Sequence, residues 1–560
     1  MPSKAKQFRW ALIALAVILG ALHAWAYRHA MNPDGISYLD IGEEFWNGNV
    51  GAIVNAHWSP LYPVILGLAL KIFSPSPYWE FALAHGVNFL IFLFGLFAFD
   101  FFLRQVIATD EQKNQQESFP KWVWLGLGYG IFLITSLNFI TLAALTPDML
   151  VSGFLYLALG LLLKIRRLGE RKAYLLLGIV LGISYLARAP MFLLAPLFIA
   201  ESAFLGTERK KNTLNAALAF AIFLAVSMPF VAILSAQIGH FTFSESGRLN
   251  YAWHINKSVP YIGWLEGPHS PKQIFHNPNM LAFREPIRST YPLWRDHAYW
   301  NEKVPVHLDL QGHLTAIKQG VHEISFITRR YLLPVAAAFL LLFLLGKVPA
   351  KKLLESWPLL VPVLAGIGMY ALVYTASRYI APFITALWLG LFLGLAREKI
   401  EKFQLPIFLM AIVLLWSIIS FTNANEARLA AKTLRCGEAC LPHQDWPIAE
   451  ALREAGVQEC SRVGIIGHYF GAFGAYWARL ARVQIVAEIP QGPLEQFWGK
   501  DKKTRREVIA AFGQAGAEAV VAEIVGNDIP PSVGTDGWRK VENTNWYYLL
   551  LKEPNTLVAR

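Results

Sequence analysis

Long runs of apolar residues alternate with short polar connectors along most of the chain. A run of about 20 apolar residues can cross the roughly 30 Å hydrocarbon core of a bilayer as a helix. The pattern therefore predicts a polytopic α-helical membrane protein with about eleven transmembrane helices. The predicted spans lie near residues 9–27, 80–103, 122–143, 148–164, 173–187, 190–206, 213–236, 327–346, 354–376, 379–396 and 403–421.

The apolar run from Leu61 to Phe73 is too short to cross comfortably, and it predicts an interfacial or re-entrant helix. The positive-inside rule supports this choice, because the basic connectors then share the cytoplasmic side with Lys4, Lys6 and Arg9. Counting the run as a span would place all of those connectors outside. The segments predicted on the outer face of the cytoplasmic membrane are the first loop, the long loop and the tail, residues 28–79, 237–325 and 422–560.

Composition agrees with membrane burial. Of 560 residues, 55% are hydrophobic and 16% are charged, whereas soluble domains carry roughly 25% charged residues. The net charge of +11 could suggest a nucleic-acid partner, but Lys and Arg fall mostly in short connectors such as residues 164–167 and 209–211. The positive charge therefore indicates membrane topology and no nucleic acid.

The tail has a different pattern, with short strand-like segments separated by helical stretches. It predicts a small external α/β domain over residues 422–560, separate from the transmembrane domain of residues 1–421. The predicted strands are residues 463–466, 483–486, 519–522 and 546–550.

All three cysteines lie in this tail: Cys436, Cys440 and Cys460. An oxidising compartment would permit one disulfide, for which Cys436 and Cys440 are the first choice. A zinc site that includes His443 and His468 is the alternative, but the spacing matches no common zinc pattern.

Two carboxylates stand beside predicted spans at the external face. Asp34 lies in the first loop, and Asp148 follows Thr146 and Pro147 at the start of a span. Acidic side chains at a membrane are costly and usually kept for function. Their shared face predicts a reaction at the bilayer surface.

Arg188 and Arg378 also lie at the external ends of spans, where positive residues are depleted. Each alone could be an arginine that pairs with lipid headgroups. The two together, at the face that carries the two carboxylates, suit a bound phosphate or pyrophosphate. We favour the anion site.

Five local motifs occur in an order that resembles a known superfamily. They are the acidic first loop with Asp34, then Ser59-Pro60-Leu61-Tyr62-Pro63, Thr146-Pro147-Asp148, Ala187-Arg188-Ala189-Pro190 and Ser377-Arg378-Tyr379-Ile380-Ala381-Pro382. The series resembles the GT-C superfamily of membrane glycosyltransferases, especially the bacterial branch related to protein O-mannosyltransferases and the lipid A aminoarabinose transferase. The resemblance covers about residues 1–400 and excludes the tail.

The resemblance implies a glycosyltransferase that takes a sugar from a polyprenyl-phosphate carrier. The acceptor would be a hydroxyl or amine of a cell-envelope lipid, glycan or protein, with inversion at the anomeric carbon. Asp34 matches the acidic residue that acts as general base, and Asp148 matches the second acidic position, which shapes the site. Arg378, with Tyr379, has the clearest motif match for the carrier phosphate, together with Arg188.

Two departures from the superfamily pattern change the expected ligands. Several relatives carry Lys-Pro where this chain has Ser59-Pro60, so His57 is a candidate donor to the phosphate, with an interfacial role as the alternative. Relatives often have Asp-Glu where this chain has Asp34-Gly35. Acidic oxygens could still bind Mg²⁺ or Mn²⁺, but the ligand set is too small to assign a metal.

Other polar and aromatic residues could contact sugars. Asp40, with Tyr38, follows the first acid, and it is either a sugar-binding or supporting residue or a polar residue on a loop helix. The long loop carries aromatic residues that suit sugar binding or an amphipathic cover on the membrane. This aromatic cluster comprises Tyr291, Trp294, Tyr299 and Trp300.

The rival function is a transporter or flippase of lipid-linked sugar, since charge within a membrane also marks transport paths. Transporters favour charge at mid-membrane in broken helices, whereas here it collects at the outer ends of spans. A noncatalytic scaffold of the cell envelope would leave the carboxylate and arginine pairs without a use.

Overall fold

A computed structural model describes most of the chain. The described residues are 4–113, 119–206, 208–258, 267–283, 289–345, 350–395, 443–467, 474–490, 497–524 and 536–552, with the single residues Ala411, Leu415, Arg428, Lys432 and Arg435.

The described part is mostly helical, and its helices are numbered here in chain order. They are α1 (Lys4–Ala26), α2 (Pro33–Trp46), α3 (Leu61–Phe73), α4 (Glu80–Lys113), α5 (Lys121–Ile134), α6 (Asp148–Leu168), α7 (Arg171–Ala187), α8 (Met191–Ala203), α9 (Arg209–Ile238), α10 (Ser246–Tyr251), α11 (Pro292–Arg295), α12 (His297–Trp300), α13 (Leu310–Ile327), α14 (Leu333–Leu345), α15 (Ala350–Leu353), α16 (Trp357–Ala371), α17 (Ser377–Gly394), α18 (Trp446–Glu454), α19 (Tyr476–Leu480) and α20 (Lys502–Gln514).

Eight helical stretches of the described residues are long and apolar enough to cross a membrane, as expected of a multi-pass membrane protein. The predicted spans near 173–187 and 190–206 form the shorter helices α7 and α8, and the predicted span 403–421 lies outside the described residues except for two single positions. The eight stretches are Lys4–Ala26, Pro77–Gln112, Lys121–Ile140, Asp148–Leu168, Arg209–Ile238, Leu310–Leu344, Leu354–Ala371 and Ser377–Gly394.

The first loop forms two helices that pack against each other, α2 and α3. The predicted short helix from Leu61 to Phe73 is confirmed, and it is 13 residues long. Gly42 of α2 lies against the backbone of Pro63 and Gly67 in α3, and a Cβ at either glycine would overlap the opposite backbone. Because neither position has room for a side chain, α2 lies directly on α3.

Described residues of the long loop and the tail form a sheet of seven strands in the order β1-β2-β4-β3-β5-β7-β6. Strand β3 pairs in parallel with β4 and β5, and the other pairs are antiparallel. All four strands predicted in the tail are confirmed. The strands are β1 (Lys272–Phe275), β2 (Met280–Ala282), β3 (Arg462–Ile466), β4 (Gln484–Ile489), β5 (Ala519–Glu523), β6 (Arg539–Lys540) and β7 (Trp546–Leu550).

Strands β1 and β2 come from the long loop and not from the tail. Leu281 and Ala282 pair with Glu488 and Ala487 of β4, so the loop extends the tail's sheet at one edge. The segment that follows in the loop also contacts β4, because Ile485 donates its N–H to the carbonyl of Thr290 at 3.1 Å. The long loop and the tail therefore form one structural unit.

Candidate active site

Buried polar side chains of α4 bind the two connectors that carry the acidic residues. The ring nitrogens of His85 lie 2.8 Å from the carbonyl oxygens of Ala30 and Leu142. Asn88 donates from Nδ2 to the carbonyl of Ala144 at 3.0 Å. The segment before α2 and the segment before α6 are thereby held against the same helix.

Asn32 joins these two segments directly. Its Oδ1 accepts from the backbone N–H of Leu145 at 2.8 Å, and its Nδ2 lies 3.4 Å from the Leu145 carbonyl. Asp34 and Asp148 each lie in the first turn of the helix that follows, α2 and α6. The N-terminus of a helix favours negative charge, so both carboxylates lie where the helix dipoles stabilise them.

The predicted arginines reach both carboxylates. Arg188, the residue that follows α7, contacts Oδ1 of Asp148. Arg378, in the first turn of α17, lies 3.6 Å from Oδ2 of Asp34 through Nη2 and 3.6 Å from Oδ2 of Asp148 through Nε. These last separations are too long for hydrogen bonds. The structure therefore brings together all four residues from four different helices, in a group called here the site cluster.

Tyr379 orients the two guanidinium groups. The guanidinium carbon of Arg188 lies 3.9 Å from the centre of the Tyr379 ring, a cation–π contact. Arg378 donates from Nη2 to the Tyr379 hydroxyl at 3.2 Å. The predicted pairing of Arg378 with Tyr379 at one site is therefore present.

Tyr38 belongs to α2, close to the charges of the site cluster, and is only 4% exposed. Its ring packs edge-on against Trp58 and Tyr62, with centroids 5.0 Å apart in both cases. Burial and, next, the negative charge of Asp34 raise the pKa of the Tyr38 hydroxyl well above its usual value. The hydroxyl stays protonated at neutral pH and can serve as a hydrogen-bond donor.

Trp294 of the long loop reaches the first carboxylate. Its Nε1–H donates to Oδ1 of Asp34 at 3.0 Å. The carbonyl of Trp294 in turn accepts from Ser37 Oγ at 3.0 Å and from Trp58 Nε1 at 3.2 Å. Sequence reasoning named Trp294 only within an aromatic cluster, since a contact across 260 residues leaves no local pattern.

His57 lies beside a second imidazole, that of His297, with ring centroids 4.5 Å apart. Burial lowers the pKa of His297 to about 4, against the opposing charge of Asp34. Burial, followed by the charges of His297 and Arg188, lowers the pKa of His57 well below its usual value. Both rings are neutral at pH 7, so they offer hydrogen bonds and no charge.

Asp40 lies away from the site cluster, toward the other end of α2. Its Oδ2 accepts from the backbone N–H of Thr290, and its Oδ1 accepts from the Thr290 hydroxyl and from Arg479 Nη1, each at 2.9 Å. Of the two roles that the sequence leaves open for Asp40, this placement favours support of the loop over contact with a sugar.

The site cluster suits an anion better than a cation. Each of its carboxylates already faces a guanidinium group, and such a donor set does not fit Mg²⁺ or Mn²⁺, which prefer oxygen ligands free of competing positive charge. Within the described ranges, no group of three or more His, Cys, Asp or Glu side chains could hold a metal ion. The divalent cation stays a prediction.

The cysteine predictions are tested only at one position. Cys436, Cys440 and His468 lie outside the described residues. Cys460 is exposed and forms no disulfide with any described residue.

Comparison with solved structures shows a shared fold. The chain is similar to ArnT from Cupriavidus metallidurans bound to undecaprenyl phosphate, with a TM-score of 0.52, 12% identity and coverage of 96% of this chain and 97% of that one. The apo state of that ArnT gives a TM-score of 0.48 at 12% identity, covering 98% of both chains. At this identity the likeness to the ArnT bound to undecaprenyl phosphate shows a shared fold.

A third similar structure is the archaeal oligosaccharyltransferase AglB from Archaeoglobus fulgidus in complex with an inhibitory peptide and a dolichol-phosphate. Its TM-score is 0.47 at 13% identity, and the match covers 93% of this chain and 70% of that one. No protein-family model and no curated protein sequence matches the chain.

Proposed function

We propose that this chain is a glycosyltransferase that moves a sugar from a polyprenyl-phosphate donor to a hydroxyl or amine acceptor of the cell envelope. The reaction would take place at the outer face of the cytoplasmic membrane. The observation that carries the proposal is the site cluster, in which Asp34 and Asp148 meet Arg188 and Arg378 at the ends of membrane helices. The carboxylates of that cluster suit activation of the acceptor, and its arginines suit binding of the leaving phosphate.

Asp34 is the proposed general base. The acceptor oxygen or nitrogen attacks the anomeric carbon and forms the new glycosidic bond, while its proton passes to the Asp34 carboxylate. The bond between the anomeric carbon and the phosphate oxygen breaks, and the electron pair leaves with the phosphate. One displacement of this kind inverts the anomeric configuration. The Trp294 N–H supports the role because it holds Oδ1 in place and leaves Oδ2 toward Arg378.

Arg378 and Arg188 are the proposed ligands of the carrier phosphate. A planar guanidinium donates two parallel hydrogen bonds to phosphate oxygens, and the developing negative charge on the leaving phosphate strengthens them in the transition state. The contacts of Arg378 with Asp34 and Asp148 are ion pairs at 3.6 Å without a hydrogen bond, so its donors can turn to a ligand. The fold shared with an ArnT that was solved with bound undecaprenyl phosphate supports this donor class.

Asp148 and the two tyrosines have supporting roles. Asp148 is buried and holds Arg188 in place, and Tyr379 stacks on Arg188. The protonated hydroxyl of Tyr38 and the neutral ring of His57 are proposed donors to sugar or phosphate oxygens. The proposed substrate-binding residues are therefore Tyr38, His57, Arg188, Arg378 and Tyr379, whereas Asp40, the sixth predicted member, supports the loop.

The test is transfer of a radiolabelled sugar by purified protein in lipid, from a panel of synthetic polyprenyl-phosphate sugars. Asp34→Asn keeps the shape and the acceptor oxygen for Trp294 but removes the base, so turnover falls by about 10²- to 10⁴-fold. Asp536→Asn, at an ion pair with Lys502 within the tail, is the matched control and keeps full turnover. Carrier movement across proteoliposomes that survives Asp34→Asn, with no turnover from any donor, would replace the transferase with a flippase.

A further inference from the structure

A second group of acidic and basic side chains joins the tail to α2. Arg479, in α19, contacts Asp40 through Nη1 at 2.9 Å, Glu43 through Nη2 at 2.7 Å and Glu80 through Nε at 2.6 Å. The Arg479 side chain is only 5% exposed, and Glu80 is fully buried. Arg482 adds contacts with Glu43 and Glu80. These five residues are called here the docking cluster.

The main charges of the docking cluster are buried, so each of them needs an oppositely charged partner in a defined position. A buried charge is costly unless opposite charges and hydrogen bonds compensate for it. Burial alone would lower the pKa of the Arg479 guanidinium, but Glu80, Glu43 and Asp40 together raise it above its usual value. The tail therefore stays charged at this contact and binds α2 in one arrangement.

A continuous set of contacts leads from Arg479 to the proposed base. Asp40 accepts from Arg479 and, at the same time, from the backbone and the hydroxyl of Thr290. Thr290 begins the loop segment that contains Trp294, and Trp294 donates to Asp34. Arg479 thus acts on Asp34 by two routes, through α2 itself and through the loop segment.

Helix geometry explains why the contact sets the direction of Asp34. Asp34 and Asp40 are six residues apart on α2, and at 3.6 residues per turn their side chains point about 120° apart around the axis. Arg479 therefore contacts α2 on a different side from the site cluster, and this contact fixes the rotation of the helix. A rotation or shift of α2 would move Asp34 relative to Arg188 and Arg378, which belong to α7 and α17.

We propose that the tail is part of the catalytic unit and that Arg479 is the positioning residue that holds the α2 carboxylate for the reaction. The proposal rests on the transferase function proposed above. It assigns the tail a role in the chemical step. The proposed ligands of the carrier phosphate, Arg188 and Arg378, belong to other parts of the chain.

The experiment compares Arg479→Gln and Arg479→Lys with Arg505→Gln. Arg505 lies in the same domain and pairs with Asp536 on the tail's own surface, so it controls for loss of a partly buried arginine. Three quantities are measured in each variant: kcat for sugar transfer, Kd for polyprenyl phosphate, and hydrogen exchange of the peptide that spans Pro33–Trp46.

A misplacement of about 1 Å at a reacting group can cost 10²-fold in rate. We therefore expect Arg479→Gln to lower kcat by about 10- to 100-fold, with Kd for polyprenyl phosphate unchanged and faster exchange in α2. Arg479→Lys restores part of kcat, since one ammonium can still meet two of the carboxylates. Arg505→Gln leaves all three quantities at their wild-type values.

A milder variant, Thr290→Val, keeps the shape of the side chain and removes one hydrogen bond to Asp40, so it reports on the same route if Arg479→Gln does not fold. Unchanged kcat in Thr290→Val and in folded Arg479→Gln would overturn the proposal, and so would an equal loss of kcat and carrier binding. A wild type without transferase activity would end the proposed function, while the exchange of α2 in the variants would still decide whether Arg479 positions this helix.

Discussion

The site cluster and the docking cluster both place arginines beside carboxylates of α2, but Arg378 and Arg479 lie at different distances from their carboxylates. In the docking cluster, Arg479 lies 2.6 to 2.9 Å from three carboxylates and is 5% exposed. In the site cluster, Arg378 lies 3.6 Å from two carboxylates and is 31% exposed. The short contacts are complete without any ligand, whereas the long ones leave donors available. Arg479 therefore has a structural role, whereas Arg378 keeps donors that can bind a substrate.

Stability should depend most on the docking cluster. Removing one partner of a buried ion pair leaves an unpaired buried charge and costs about 3 to 5 kcal/mol. Glu80→Gln should therefore lower the free energy of unfolding of the tail by about this amount, measured by denaturant titration in lipid. Asp536→Asn, at a partly exposed pair on the surface of the tail, should change the same quantity far less. Similar losses for both variants would contradict the distinction.

The site cluster should be the more sensitive region to mild acid, because neutral imidazoles lie beside it. His297 has a folded pKa of about 4 and an unfolded value near 6.5. The unfolded chain binds the proton first, so stability is complete above pH 6.5 and declines as the pH falls toward 4, by about 3 kcal/mol in total. His297→Gln, measured by unfolding across this range, should remove the slope. An unchanged slope would show that other groups cause it.

Substrate binding should depend on the site cluster and not on the docking cluster. A hydrogen bond to a charged group contributes about 1.5 to 3 kcal/mol, so Arg378→Gln should weaken binding of polyprenyl phosphate by about 10- to 100-fold. Arg329→Gln, at an exposed arginine of the helical stretch Leu310–Leu344, is the control and should leave Kd unchanged. Equal affinity of wild type and Arg378→Gln would remove Arg378 from the phosphate site.

The smallest expected effect tests the link between the two clusters. Trp294→Phe keeps an aromatic ring but removes the donor to Asp34. Because this hydrogen bond is present in the ground state as well as in the transition state, only part of its energy affects the rate, and kcat for transfer should fall by about 2- to 10-fold. Trp10→Phe, at an exposed position of α1, is the control. If kcat does not change, the orientation of Asp34 depends on α2 alone.

Much of the membrane part could be predicted because each span is a local property. Apolar runs gave the helices, and the position of Asp148 after Thr146-Pro147 placed a carboxylate at the start of α6. The convergence of Asp34, Asp148, Arg188 and Arg378 was also predicted, since all four fall at the same ends of neighbouring spans.

The sheet of the long loop and the tail was harder to predict because its contacts join distant residues. Strands β1 and β2 lie in a loop whose sequence predicts an aromatic or interfacial segment, and only pairing with β4 makes them part of the sheet. Arg479 looks like any exposed arginine of an amphipathic helix. Its charge and its position in the sequence do not reveal that it contacts three carboxylates, which lie about 400 residues earlier in the chain.

The 439 residues between Asp40 and Arg479 also have a consequence for biosynthesis. At about 5 to 20 residues per second, the ribosome reaches Arg479 roughly 20 to 90 s after Asp40. During this interval Asp40, Glu43 and Glu80 lack the guanidinium groups that neutralise them in the folded chain. The nascent protein must therefore keep its first loop hydrated while the helices insert, and the first loop reaches its final arrangement only after Arg479 has been synthesised.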